Sequence, residues 1–199
     1  RLVMLGTPNK GSHLFVETLL GQSDTIRTLA RLDLAQGLQE VLDIVAGFPG
    51  ALQLLPAPGF IDTDGRPPRA FYERATWDAL AAINDDFWFG KALCGRPSQA
   101  RLEEARAGWD AIADTRWVGQ APERIAYVFG QADNTPCGVL EQPRGGKPTG
   151  LVMRGTPQGD GSVTWAGGDL PGLPAERKWL MPVDHMGLAS TRRYFEEIE

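Results

Sequence analysis

The sequence predicts an α/β fold in which short buried strands near both ends of the chain enclose a long helical segment. Residues 2–6 form an apolar run bounded by turn residues, which is typical of a strand buried on both faces of a parallel sheet. Apolar residues then recur at helical spacing from His13 to about Asp114, and strand patterns return after residue 124. This order of elements indicates an α/β sheet with a helical cap. With 199 residues, 42% of them hydrophobic, the chain is long enough for one domain with a sizeable core.

The first predicted strand ends at a turn that contains Gly6, Pro8 and Gly11. No cap, leader or initiator methionine stands before this strand in the sequence. We therefore expect the sequence to be part of a longer chain. We also expect the strand to lie at an exposed sheet edge, which self-association can cover.

The helical segment has apolar residues at three- and four-residue steps between residues 19 and 45. A break is predicted at Phe48-Pro49-Gly50. A loop rich in Pro, Gly and Asp follows at residues 56–68. Two further helices are predicted near residues 69–86 and 98–114.

The last third of the chain returns to strands and turns. A second buried strand is predicted at residues 124–130, followed by a turn-rich segment at 133–149. Two strands, 151–154 and 162–165, are expected around a loop at 155–161. A short strand at 179–183 and a closing helix at 190–198 complete the prediction.

Composition and charge exclude several classes of function. A net charge of −5 disfavours a nucleic-acid or anionic-membrane partner, but it leaves an uncharged ester or lipid possible. No apolar stretch approaches the roughly 20 residues that a bilayer span needs, and no signal peptide is visible, so a cytoplasmic location is predicted. The cysteines, Cys94 and Cys137, lie far apart, and there are only two histidines. We therefore expect free thiols, no metal site and no cofactor.

Two loop residues have side chains suited to acid–base chemistry. Asp160 lies between two glycines, which can present a carboxylate without crowding, although such a tripeptide alone is typical of a plain turn. His185 follows an apolar strand, where α/β sheets place their ligands. In the triad of α/β-hydrolases the chain order is Ser, acid, His, and Asp160 precedes His185 in that order. The acid would fix the imidazole tautomer, and the other ring nitrogen would take the serine proton.

Five sequence blocks resemble the lipases and lecithin:cholesterol acyltransferase-like enzymes of the α/β-hydrolase fold, and they occur in that family's order. They are RLVMLGTPNKGS at the start, FPGALQLLP from Phe48, YVFGQADNTP from Tyr127, GDGSV from Gly159 and DHMGL from Asp184. The resemblance implies one partial α/β-hydrolase domain over residues 1–199. Its cap insertion would cover about residues 13–120, and its core strands and acid and histidine loops about residues 121–199.

The same resemblance implies a function for the parent enzyme. It would be a serine carboxylic-ester hydrolase or acyltransferase, with Asp160 as acid and His185 as base. The large cap favours an apolar acyl ester or lipid substrate and lid-like access.

The nucleophile of that enzyme is not evident in the sequence. No serine lies in a G-x-S-x-G turn; the five serines are Ser12, Ser23, Ser98, Ser162 and Ser190. Cys137 as a substitute nucleophile has no visible activating context. We therefore expect the serine upstream of Arg1, and the 199 residues alone to be inactive.

Several alternatives remain open. Asp169 and Asp184 are rival acids, and His13 is expected to be a turn residue that opens the cap helix. The aromatic run Phe87-Trp88-Phe89 can line an acyl pocket or belong to the core. At the level of function, the alternatives are a non-catalytic interaction module with a degenerate hydrolase fold, or a thioesterase or amidase on the same scaffold.

Overall fold

The computed structural model describes residues 1–32, 37–83, 96–144 and 147–191. Over these residues the protein is a mixed α/β structure, with a small parallel sheet, a separate hairpin and a layer of helices. The α/β class predicted from the sequence is confirmed. No helix in the described ranges is both long and apolar enough to cross a membrane.

The elements follow one another in an order close to the one predicted. The strands are β1 (Leu2–Leu5), β2 (Ile125–Phe129), β3 (Thr135–Arg144), β4 (Lys147–Thr156) and β5 (Lys178–Leu180). The α-helices are α1 (His13–Leu19), α2 (Asp24–Leu32), α3 (Leu38–Ala46), α4 (Pro49–Leu52), α5 (Arg74–Ile83), α6 (Gln99–Ile112), α7 (Trp165–Gly168) and α8 (His185–Leu188). Short 3-10 helices cover Arg116–Gln120, Pro122–Arg124 and Ala175–Arg177.

The parallel sheet has the strand order β1-β2-β5. The predicted parallel pairing of the first two buried strands is confirmed, with Leu2 opposite Ile125 and Leu5 opposite Val128. The central strand β2 is apolar throughout because it is covered on both faces. Among the described residues β1 pairs on one side only, and Val3 on it is 49% exposed.

The helices form a second layer with its own core. Leu19, Trp77 and Leu102 are fully buried in this cluster. Val139 of β3 and Leu151 of β4 belong to the same cluster, so the hairpin packs its apolar face against the helices. The hairpin therefore leads the chain from the parallel sheet, across the helical layer, to the loop that contains Asp160.

The segment at 133–149, predicted to be turn-rich, is instead most of a long antiparallel hairpin, and that prediction was wrong. Its prolines caused the error. Pro136 and Pro143 lie where the pairing register of β3 with β4 shifts, and such irregularities tolerate a residue that has no N–H to donate.

The strand predicted at 162–165 is also wrong. The amides of Ser162 and Val163 donate to the Asp160 side chain, and Thr164 caps the short helix α7. Only an isolated bridge, between Gly159 and Thr164, remains of the expected pairing.

The predicted helices agree with the structure in part. The helix expected from residue 69 begins at Arg74, and the break expected at 48–50 is the start of α4. The closing helix predicted at 190–198 lies almost wholly outside the described residues. So do Phe87-Trp88-Phe89, Cys94 and the end of the helix predicted to reach residue 86.

Candidate active site

Asp160 and His185 are in direct contact. Oδ2 of Asp160 lies 2.8 Å from Nδ1 of His185. An ionised carboxylate only accepts hydrogen bonds, so Nδ1 carries the hydrogen and donates it. The Nε2 atom is then left with a lone pair that can accept a proton.

The side-chain carboxylate of Asp160 accepts hydrogen bonds from the turn in which Asp160 lies. Oδ1 accepts the backbone amides of Ser162 at 2.9 Å and Val163 at 2.7 Å, and the Asp160 amide donates to the Val163 carbonyl at 3.1 Å. The residue is only 2% exposed. Because a buried polar group needs hydrogen-bond partners in place of water, these two amides and the imidazole together stabilise the buried side chain.

Two glycines, each at the end of a strand in the parallel sheet, leave space for the side chains of Asp160 and His185. Gly6 follows β1 with a φ of +56°, and a Cβ atom there would lie 2.6 Å from Asp160 Oδ2 and 2.9 Å from His185 Nδ1. Gly130 follows β2, and its Cβ would lie 2.7 Å from the Asp160 Cβ. In the sequence these glycines indicate only strand ends, so their role in clearing the site was missed.

His185 is the first residue of the short helix α8. Asp184 caps that helix by accepting the Gly187 amide at 2.8 Å. The His185 amide donates to the Asp160 carbonyl at 2.8 Å, so backbone and ring both contact the same residue. The hydrogen bond to the Asp160 carboxylate raises the pKa of the His185 imidazole above its ordinary value, against the opposing effect of burial.

Asp169 and Asp184, the two other candidates for the acid, bind groups other than the His185 ring. Asp169 forms ion pairs with Lys178 at 2.6 Å and with Lys10 at 3.7 Å. Asp184 is the helix cap described above. Of the three aspartates considered from the sequence, Asp160 is the one that contacts the His185 ring.

His185 lines a cavity of about 370 Å³ between α1 and the acid loop. Most of the other lining residues are apolar: Pro8, Leu14, Phe15, Leu54 and Val163, with Ser12, Thr18 and Ser162 supplying polar atoms. A largely apolar cavity beside an imidazole can take a hydrocarbon chain next to a reacting group.

Two of the serines considered as nucleophiles line this cavity, but neither is hydrogen-bonded to the His185 ring. Ser12 Oγ caps α1 by accepting the Leu14 amide at 3.0 Å, and it donates to the Ser162 carbonyl. Within the described ranges the only hydrogen bond of the His185 ring is the one from Nδ1. Cys137 is buried, and its burial raises the thiol pKa to about 11, which disfavours the reactive thiolate.

A second imidazole–carboxylate pair lies near the first. His13 is the first residue of α1, and its Nδ1 atom lies 2.8 Å from Oδ2 of Asp62. Both residues are buried, at 8% and 5% exposure. The prediction that His13 opens a helix is confirmed, but the expectation of an ordinary turn residue was wrong, because its ring contacts Asp62 and lies edge-on to Phe71.

No cluster of three or more metal-binding side chains occurs in the part of the chain that the structure describes. In comparisons with known proteins, the chain matches no family model and has no significant match among curated proteins.

Proposed function

We propose that this chain carries the acid and base of a serine carboxylic-ester hydrolase or acyltransferase with the α/β-hydrolase fold. Asp160 is the acid and His185 the base. The observation that carries the proposal is the 2.8 Å contact between Asp160 Oδ2 and His185 Nδ1 beside an apolar cavity.

The position of the pair in the fold supports this function. Gly6, Gly130 and His185 each follow a strand of the parallel sheet, β1, β2 and β5, so the pair lies beyond the carboxyl ends of all three strands. Open α/β sheets bind their ligands at that edge.

In the proposed mechanism His185 acts first as base and then as acid. Its Nε2 atom takes the proton of a serine hydroxyl as the serine oxygen attacks the ester carbonyl. The resulting imidazolium is stabilised by the Asp160 carboxylate, and it returns the proton to the departing alcohol as the acyl-serine forms. Water or an acceptor alcohol then reverses these steps and releases the acid or a new ester.

The nucleophilic serine is the part of the proposal that lies outside these 199 residues. The serines that line the cavity do not meet the requirement, since Ser12 is occupied as a helix cap and Ser162 belongs to the acid turn. The proposal places the nucleophile on a segment upstream of Arg1 that reaches His185 Nε2.

The substrate class follows from the walls of the cavity. Leu14, Phe15 and Leu54 offer hydrocarbon surface on the cap side of His185, and His185 is the one residue with an ionisable side chain among the described residues that line the space. An apolar acyl group is therefore the portion of the ester best suited to it.

The test uses the longer chain that contains the serine, assayed on p-nitrophenyl esters from butyrate to palmitate. His185→Ala and Asp160→Asn should each lower kcat by several orders of magnitude, about 10⁴-fold for the acid. Asp169→Asn is the matched control, because its carboxylate is engaged by Lys178 and Lys10, away from His185.

Near-wild-type turnover in His185→Ala would reject the assignment. Absence of turnover in the unaltered protein, on esters, thioesters and amides alike, would favour the non-catalytic interaction module. Faster turnover of thioesters or amides than of esters would redirect the proposal to those substrates.

The pH dependence gives a second readout of the pair. Because the base must be unprotonated and its pKa is raised by Asp160, activity should rise with pH through that raised pKa. The amide in Asp160→Asn cannot stabilise the imidazolium. The pH at which the residual activity of that variant begins to rise should therefore be lower than in the unaltered protein.

A further inference from the structure

We propose that Asp62 and Thr164, with His13, form a buried hydrogen-bonded chain that positions the acid loop around Asp160. These three would be positioning residues, since none of them touches the His185 ring. The proposal rests on the proposed function only in naming Asp160 the catalytic acid.

The chain of hydrogen bonds runs through both oxygens of the Asp62 carboxylate. His13 Nδ1 lies 2.8 Å from Asp62 Oδ2, and Thr164 Oγ1 donates to Asp62 Oδ1 at 2.6 Å. Thr164 Oγ1 also accepts the Gly167 amide at 3.0 Å. The Thr164 hydroxyl has one hydrogen to donate, and it donates this hydrogen to Asp62 Oδ1 while its oxygen accepts the Gly167 amide.

The side chain of Asp62 is buried, and both of its oxygens have hydrogen-bond partners. Besides His13 and Thr164, its Oδ1 atom accepts the Thr63 amide at 2.7 Å and the Thr63 hydroxyl at 3.2 Å. At 5% exposure, both oxygens of the side chain thus have hydrogen-bond partners in the protein in place of water. This loop, rich in Pro, Gly and Asp, thus places the Asp62 side chain between the start of α1 and the acid loop.

Thr164 connects Asp62 to the turn that contains Asp160. It ends the turn whose other end is Gly159, to which it is bridged, and the Val163 amide next to it donates to Asp160 Oδ1 at 2.7 Å. A shift of Thr164 would therefore move the amides that orient the Asp160 carboxylate. Ser12, next to His13, donates to the Ser162 carbonyl, so two adjacent residues of the α1 start hold the same loop.

The small number of histidines makes the proposal testable without turnover. The chain has two, His13 and His185, so imidazole nitrogen NMR of the 199-residue protein resolves each ring. In the unaltered protein both rings should carry their proton on Nδ1. A His13 ring protonated only on Nε2 would overturn the proposal.

Thr164→Val removes the hydroxyl at nearly constant volume. We expect the pKa of His185 to fall and its Nδ1–H population to decrease, because Asp160 is no longer held in place. Thr164→Ser, which restores the hydroxyl, should return both quantities to their original values. Thr156→Val is the matched control: Thr156 is also buried, and its hydroxyl accepts the Gln158 amide but does not contact Asp62.

A second variant separates this role from simple capping. Asp62→Asn leaves the Thr164–Gly167 cap possible but replaces one acceptor oxygen with a donor. It should shift the His185 titration in the same direction as Thr164→Val. A His185 titration unchanged in Thr164→Val and Asp62→Asn, with both variants folded, would overturn the positioning role, as would an equal shift in Thr156→Val.

Kinetics of the longer, serine-containing protein give an independent arm. Thr164→Val should lower kcat by up to about 100-fold with a much smaller change in KM, as expected for a misplaced catalytic group. If the His185 titration shifts but the unaltered protein hydrolyses no ester, the proposed function fails while the positioning role stands. If ester turnover is normal in Thr164→Val and its His185 titration is unchanged, only the positioning role fails.

Discussion

Gly6 is the residue that most directly limits what can occupy the candidate site. Its backbone lies in the left-handed region, and its missing side chain leaves space for both Asp160 Oδ2 and His185 Nδ1. Two separate requirements, one of backbone conformation and one of space, therefore act on the same residue.

The two requirements can be separated by a pair of alanine variants. Gly59→Ala introduces a side chain at a similar φ, +76°, where no atom lies within 4 Å of the new Cβ. It should lower the free energy of unfolding by about 1–2 kcal/mol, the cost of the backbone conformation alone. Gly6→Ala should cost clearly more, because Asp160 and His185 must also move.

Urea denaturation of the two variants measures this difference. The imidazole NMR spectrum of Gly6→Ala should in addition show a disturbed His185 ring. Equal losses of stability in the two variants would mean that the space around Gly6 is not as tight as the contacts indicate.

At this scale the sequence was informative about Asp160 and His185 because each has a local signature. Glycines flank the aspartate, and an apolar strand precedes the histidine. The pairing of His13 with Asp62 has no such signature. It joins a helix start to an irregular loop, and neither periodicity nor a motif brings those two segments together.

Among the elements, the β3–β4 hairpin connects the helical layer with the acid loop. Its inward face contributes Val139 and Leu151 to the helical core, and β4 ends at Thr156, shortly before the turn that contains Asp160. The hairpin therefore couples the packing of the cap to the position of the acid.

Leu151→Ala tests the packing of the hairpin against the helices. The side chain is fully buried, so its truncation should lower the free energy of unfolding by about 2–5 kcal/mol. Val152→Ala, on the opposite face of the same strand and outside the helical cluster, should cost clearly less. Denaturant titration of both variants is the measurement, and similar losses would contradict the packing described for the hairpin.

Elements with uniform patterns were predicted well from the sequence, and those with interruptions were not. β1 and β2 are continuous apolar runs, and their parallel pairing could be predicted. β3 contains Pro136 and Pro143, which hide its strand character because they occupy register shifts that only the paired structure reveals. Residues 162–165 have β-forming composition, but the Asp160 carboxylate takes the amides that a strand would use.

Over the whole molecule, the contact between His185 and Asp160 should make stability depend on pH. The pKa of His185 is higher in the folded state than its ordinary value, so protonation of this imidazole favours the folded protein. That contribution is fully present below the ordinary pKa of 6.5 and is lost as pH rises through the raised folded-state pKa. Since a third of the side chain is exposed, solvent weakens the effect.

The measurement compares unaltered protein with His185→Gln by thermal or urea unfolding at pH values from about 6 upward. The stability difference between the two should be largest at the acidic end and narrow as pH increases. A difference that grows with pH would contradict the direction of the pKa shift.

The pairing of β1 with β2 also bears on the order in which the chain folds. Leu2 lies opposite Ile125, so the parallel sheet forms only after a very long loop has closed, whereas the helices between them depend on local contacts. Asp160 and His185 pack against the glycines that follow those two strands. We therefore expect the imidazole–carboxylate contact to be among the last to form, so that a chain that has assembled only its helices still has the Asp160 and His185 side chains apart.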